Sequence, residues 1–222
     1  MSFAAVLVAA GIGGRLGADR PKAFVVVGGR PMLEWSEIAL RAAGIDRVVV
    51  TVPEGFERPD GVLGGETRSE SVRAGLRALG DVDRVVVHDA ARPMVEPELF
   101  VRCLAELDHA EAAIAAARVT DTVKEAGEDR KVAATLDRSR LWAVQTPQAF
   151  RREALVRALA QPDEVVRAAT DDAMLVELTG GRVHLVESSP ANFKVTTPHD
   201  LEVAELLLSR RPALQRGGRA RR

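Results

Sequence analysis

Phe3 to Ala10 is an unbroken apolar run, and it feeds without a spacer into Gly11-Ile12-Gly13-Gly14-Arg15-Leu16-Gly17. A strand that is apolar at every position is buried on both faces, so its sheet needs a layer on each side. Glycines directly after it let the backbone turn sharply and bring N–H groups close to an anion.

The rest of the chain repeats that strand-then-helix rhythm. Pro31–Ala43 carries Met32, Leu33, Trp35, Ile38, Ala39 and Ala42 at helical spacing, with Gly44 as a stop signal. Val48–Val52 reads as a second strand, Ser69–Leu79 as a helix, Arg84–His88 as a strand, Glu96–Ala110 as an amphipathic helix and Ala112–Val119 as a further strand. Later come helices near Arg151–Ala160 and Asp171–Leu178, a strand over Val183–Glu187 and a last helix over Pro198–Ser209. Such alternation predicts βαβ units and an α/β fold with a mostly parallel, doubly wound (Rossmann-like) sheet. Thr120–Val144 breaks the rhythm: it is polar, β-leaning and too poor in apolar residues for its own core. It reads as a projecting hairpin, closed by Trp142–Phe150, that lies on another surface such as a partner subunit. The expected organisation is one domain over 1–209, with the arm near 120–144 and a basic, disordered tail over 210–222.

With 222 residues, 46% hydrophobic and 28% charged, wholesale disorder is excluded. No apolar run approaches the ~20 residues needed to span a bilayer. The N-terminus lacks a basic segment and a cleavage-like site, so it reads as a strand rather than a signal peptide. A single cysteine, Cys103, excludes an internal disulfide and a cysteine-based zinc site. These features predict a cytoplasmic protein. The net charge of −1 conceals a split: six arginines and no acid lie in 210–222, so 1–209 carry −7 once these are set aside. The acidic body argues against nucleic acid as the main partner. Lysines are scarce: Lys22, Lys124, Lys131 and Lys194 are all there are.

The glycine loop fits neither common phosphate fingerprint. A dinucleotide loop needs glycine where Leu16 stands, and a P-loop needs Gly-Lys-Ser/Thr, which is absent. Arg15 inside the loop and Lys22 just after it suit a polyphosphate whose transition state concentrates negative charge; solvated loop charges are the plainer alternative. Ligands of open α/β sheets bind beyond the carboxyl ends of the strands, which places His88-Asp89-Ala90-Ala91-Arg92 near that loop. Asp89 then suits a divalent metal, Mg2+ by preference, and Arg92 a second anion. The alternative is Asp89 as a cap with Arg92 as its surface partner. His88 reads as a half-buried strand residue, not a base.

These segments stand in order with Gly64-Gly65-Glu66-Thr67-Arg68-Ser69-Glu70-Ser71-Val72, Asp121-Thr122-Val123-Lys124, Leu141-Trp142 to Thr146-Pro147-Gln148, Thr170-Asp171-Asp172-Ala173 and Asn192-Phe193-Lys194-Val195-Thr196. The ordered set resembles the 2-C-methyl-D-erythritol 4-phosphate cytidylyltransferase family over essentially residues 3–208. The resemblance implies transfer of CMP from CTP to methylerythritol phosphate in the non-mevalonate isoprenoid pathway, with release of pyrophosphate. It further implies that Ala9, Ala10, Gly11 and Ile12 hold the nucleotide, with Gly65, Glu66 and Ser71 around cytosine. Arg15 and Lys22 would stabilise the transition state, and Asp89 would sit by metal and substrate. Arg92, Thr146, Thr170 and Lys194 would meet the acceptor, with Thr122 and Arg138 reaching in from a partner's arm in a homodimer. Lys194 and Arg138 would align the attacking phosphate. Two departures, Val8 where proline is expected and Ala23 where glutamine is common, fall on positions with no assigned chemistry. Another polyol phosphate, such as ribitol 5-phosphate, remains an alternative acceptor. A non-catalytic nucleotide-binding regulator and a nicotinamide-dependent dehydrogenase are the more distant alternatives.

Overall fold

A computed structural model describes residues 1–11, 13–16 and 20–210, and the side chain of Arg15 is not among the described atoms. The expected tail over 210–222 therefore lies outside the described residues apart from Arg210, which caps the last helix. In chain order the elements are β1 (Phe3–Val8), β2 (Val26–Val27), β3 (Arg30–Pro31), α1 (Met32–Ala42), β4 (Val48–Val52), β5 (Gly61–Leu63), α2 (Arg68–Leu79), β6 (Arg84–Asp89) and α3 (Pro97–Glu106). Then follow β7 (Ala112–Arg118), β8 (Lys124–Ala126), β9 (Val132–Thr135), β10 (Trp142–Arg151), α4 (Arg152–Leu159), α5 (Asp163–Ala168), α6 (Asp172–Leu178), β11 (Val183–Glu187) and α7 (Pro198–Ser209).

Seven strands form one sheet in the order β11-β7-β10-β6-β1-β4-β5. The sheet is mostly parallel, as the alternation predicts, with β10 alone running antiparallel between β6 and β7. The two-residue period of β1 divides its apolar run between two cores. Ala5, Leu7 and Ala9 pack with α1 and α3, through Leu33, Leu40, Phe100 and Cys103. Ala4 and Val6 pack on the other face with α2, α4 and α6, through Val72, Leu155 and Leu175. A third cluster seats Trp35 and Met32 against Leu208 of α7, and Trp35 Nε1 donates to the Val27 carbonyl at 2.8 Å.

Several boundaries differ from expectation for identifiable reasons. β1 ends at Val8; the Ala9 N–H bonds to Thr51 O at 2.9 Å, and the chain then leaves the sheet to build the loop. α3 stops at Glu106, short of the expected Ala110: over Leu107–His109 the bonds tighten to turns three residues back, and guanidinium groups take the carbonyls at its end. Arg84 Nη1 donates to Leu104 O at 2.7 Å and Arg151 Nε to Leu107 O at 3.0 Å. α5 and β5 have no counterpart in the sequence pattern; both are too short for a periodic signal. The arm is a hairpin as expected, β8 and β9 pairing with each other as a separate two-stranded sheet.

Candidate active site

The parallel strands place the residues after β1, β5 and β6 at one end of the sheet, and there a cavity of ≈ 260 Å³ opens. The glycine loop forms its floor. Gly13 adopts φ +74°, and a Cβ there would stand 2.7 Å from the Lys22 Cβ, so the loop can pass this close to Lys22 only as glycine. Gly64 is equally constrained, since a Cβ would fall 2.3 Å from that of Ala10. These two approaches bring the loop after β1, Lys22 and the segment before α2 to a common wall.

That segment is held by helix capping. Thr67 and Glu70 form a reciprocal capping box at the start of α2, the Thr67 N–H donating to Glu70 Oε2 at 2.9 Å. The Ser71 hydroxyl donates to Thr67 O at 3.0 Å and accepts from the Gly65 N–H at 3.1 Å, fixing the turn over which Gly65 and Glu66 pass. The Glu66 side chain projects outward, 85% exposed.

At the centre stands Asp89, at the end of β6 and only 5% exposed. Its Oδ1 accepts from Arg68 Nε at 2.9 Å and its Oδ2 from Lys194 Nζ at 2.7 Å. Arg68 turns its Nη1 to Asp172 Oδ2 at 2.5 Å, at the first residue of α6. Burial alone would raise the Asp89 pKa, but the Arg68 guanidinium and the Lys194 ammonium outweigh it and hold the carboxyl far below the ordinary range. Asp172 goes the other way: complete burial raises its pKa despite Arg68. Arg68 itself is pushed further up, the two carboxylates overcoming its desolvation.

Behind Asp89 lies a second, buried layer. The Thr146 hydroxyl accepts from the Asp89 N–H at 3.0 Å and shares a 3.0 Å hydrogen bond with His88 Nδ1. Burial pushes His88 down to about 3, with the Arg92 charge adding to the effect against Asp89, so the ring is neutral at physiological pH. His88 is thus a strand residue as expected, though fully rather than half buried, its ring edge on Phe100. Arg92 Nη1 donates to Asn192 O at 2.8 Å, and Asn192 Nδ2 donates to Thr146 O at 2.9 Å.

Of the residues singled out by sequence, Ala9, Ala10, Gly11, Lys22, Gly65, Glu66, Ser71, Asp89 and Lys194 meet in the cavity wall. Thr146 and Arg92 lie behind that wall, and Thr170 is exposed two residues before Asp172. Ile12 and the Arg15 side chain lie outside the described residues. Thr122 and Arg138 are on the exposed arm and do not line this cavity; Arg138 Nη1 donates to Thr120 O at 2.5 Å. Arg68 and Asp172 receive no role from sequence, although both fall inside the quoted segments. The available signal is an arginine at the first position of a capped helix, where a cation opposes the helix dipole.

Among the described residues no cluster of three acidic, histidine or cysteine side chains could cage a metal. The wall offers the buried carboxylate of Asp89, with both oxygens paired. That donor set fits a cation carried mainly by a nucleotide's own phosphate oxygens, as Mg2+ commonly is.

A family model described as "IspD: 2-C-methyl-D-erythritol 4-phosphate cytidylyltransferase" matches residues 3–210. The chain is 46% identical to the 2-C-methyl-D-erythritol 4-phosphate cytidylyltransferase of Nocardia farcinica over 226 residues, 96% of each chain. It is 46% identical to that of Rhodococcus jostii, covering 92% of this chain and 94% of the relative. The crystal structure of the protein of that name from Thermus thermophilus superposes with a TM-score of 0.81 at 37% identity, covering 94% of this chain and 99% of that one.

Proposed function

The chain belongs to the 2-C-methyl-D-erythritol 4-phosphate cytidylyltransferase family, and from that premise we propose how its cavity carries out the reaction. The enzyme transfers CMP from CTP to methylerythritol phosphate and releases pyrophosphate. The convergence of the glycine loop, Lys22, Asp89 and Lys194 in one cavity is the observation that carries the proposal.

The nucleophile is a phosphate oxygen that is already anionic, so no strong base is needed. This agrees with a site in which His88 is buried and neutral. The obstacle is mutual repulsion of two anions, and the remedy is positive charge with in-line positioning. The loop N–H groups of Ala10 and Gly11 face the triphosphate, and Gly65, Glu66 and Ser71 surround the base. Lys22 and Arg15 act on the charge that develops at the α-phosphate. Lys194, half-exposed and held on Asp89, is placed to exchange that carboxylate for the acceptor phosphate. Arg92, Thr146 and Thr170 complete the acceptor side.

Mg2+ held by the triphosphate oxygens beside Asp89 would neutralise phosphate charge when bound. Thr122 and Arg138 belong to a neighbouring site: the arm packs across a two-fold axis and each homodimer site draws on both chains. Support comes from the arm's exposed apolar residues, Val132 and Val144 at 60% and 44%, and from its lack of a covering layer among the described residues. Residues 1–209 act as one nucleotidylyltransferase domain, and the free, buried Cys103 suits a reducing cytoplasm. No helix among the described residues is long and apolar enough to cross a membrane.

Pyrophosphate release from CTP, measured with methylerythritol phosphate and with ribitol 5-phosphate, tests this reading. A larger kcat/KM on methylerythritol phosphate is expected; preference for ribitol 5-phosphate would move the acceptor assignment.

A further inference from the structure

We infer that Arg68 is a positioning residue for the transfer, bridging Asp89 and Asp172 so that the nucleotide wall and the acceptor wall of the cavity keep one separation. The inference rests on the function proposed above and adds a residue to it.

Arg68 belongs through α2 to the segment Gly65–Ser71, whereas Asp172 belongs through α6 to the segment beginning at Thr170. Its fork spans both, Nε to Asp89 Oδ1 at 2.9 Å and Nη1 to Asp172 Oδ2 at 2.5 Å. Local helix stability does not account for it, because a cation at the first residue of α2 meets the positive end of the dipole. Fold stability is a poor account too. Arg68 Nη2 and Asp172 Oδ1 are buried without hydrogen-bond partners among the described residues. A buried ion pair with unsatisfied atoms stabilises no better than a well-packed apolar pair. What an apolar pair cannot do is orient a carboxylate.

The arrangement divides Asp89 between two cations of different freedom. Lys194, its side chain 38% exposed, holds Oδ2 by one bond and is free to rotate toward a phosphate. Arg68, 22% exposed and anchored to Asp172, keeps Oδ1 in place while that happens. Lys194 can thus leave Asp89 without the carboxylate turning out of register.

Two variants test this. In Arg68→Lys one ammonium replaces the rigid fork and cannot reach both carboxylates with the same geometry. Its kcat should fall about 10- to 100-fold, with the CTP dissociation constant changed less than about threefold. Arg68→Gln/Asp172→Asn removes the unpaired buried charge that the single glutamine variant would leave at Asp172. Its melting temperature should rise above that of the single Arg68→Gln variant while kcat remains low. Wild-type kcat in Arg68→Lys, or recovery of kcat along with stability in the double variant, would reduce Arg68 to a structural tie and overturn the inference. Wild-type protein that cannot turn over CTP with methylerythritol phosphate would instead overturn the proposed function, and this inference with it.

Discussion

At the end of β6, Asp89 is buried, with both oxygens bonded and its N–H capped by Thr146. On the arm, β8 is exposed throughout, β9 nearly so, and the pair forms a sheet of two strands with no layer over it among the described residues. Both regions carry residues that the family resemblance assigns to the reaction, yet they are positioned by different means. The cavity residues are set by strands buried on both faces and by helix caps, within one chain. Thr122 and Arg138 sit on a limb whose position relative to the cavity follows from what it leans on. A two-stranded ribbon is marginal alone, so in the proposed homodimer the arm's contribution would depend on a second chain in a way that the cavity's would not.

The largest effect separates the two regions by charge at the reacting phosphorus. Lys22→Ala should lower kcat about 100- to 1,000-fold while CTP binding weakens far less, since the role proposed for the ammonium is on charge that develops in the transition state. Steady-state kinetics beside CTP titration checks this, and near-normal kcat would take Lys22 out of the mechanism.

Complementation reads the arm directly. Arg138→Ala and Lys22→Ala chains, each inactive alone, should recover roughly a quarter of wild-type activity when mixed and allowed to exchange. Half of randomly assorted dimers would be mixed, each with one intact site. Sedimentation as a stable monomer, or inactive mixtures after proven exchange, would falsify the shared site and remove the contrast between the regions.

Glycine substitutions compare the same regions at smaller scale. Gly13→Ala places a side chain at φ +74° against Lys22 and should cost about 1–2 kcal/mol of stability, with a clear loss of activity. Gly127→Ala in the arm, where the nearest contact is Asp129 Oδ1 at 3.2 Å, should shift stability by less than about 0.5 kcal/mol. Equal effects in thermal melts would mean that the loop is less constrained than its geometry indicates.

The smallest effect lies outside both regions. Asp200 accepts from the N–H groups of Thr196 and Thr197 and from the Thr196 hydroxyl, at 2.7–2.8 Å. Although its partial burial raises its pKa, those bonds bring it down to about 2, from 3.8. Its folded pKa is depressed, so its stabilisation is present above about pH 4 and lost as pH falls toward 2. Asp200→Asn should lower stability at neutral pH by about 1 kcal/mol, the size of a helix cap, and flatten that acid limb without changing kcat. A changed kcat would mean that the α7 cap reaches Lys194 through Val195.

Element types were legible wherever apolar periodicity was long. β1, β4, α1, α7 and β11 lie where the sequence places them, to within two residues. Periodicity says nothing of strand direction, so the antiparallel course of β10 was not readable, although Trp142–Phe150 was marked as a segment. The site was readable as a set of segments because motif order survives in the linear chain. Arg68 and Asp172 were inside those segments without a role, because their partnership spans 104 residues and no local pattern encodes it.

Sequence alone determined the α/β architecture, the glycine loop after β1 and the family, because burial pattern, turn chemistry and motif order are local properties carried by neighbouring residues. Tertiary structure alone decided which carboxylate faces which cation. Asp89 is drawn down by Arg68 and Lys194, whereas Asp172, sharing the same arginine, is pushed up by complete burial. Desolvation and Coulomb attraction depend on distance through space, and folding sets those distances between residues that are far apart in the chain.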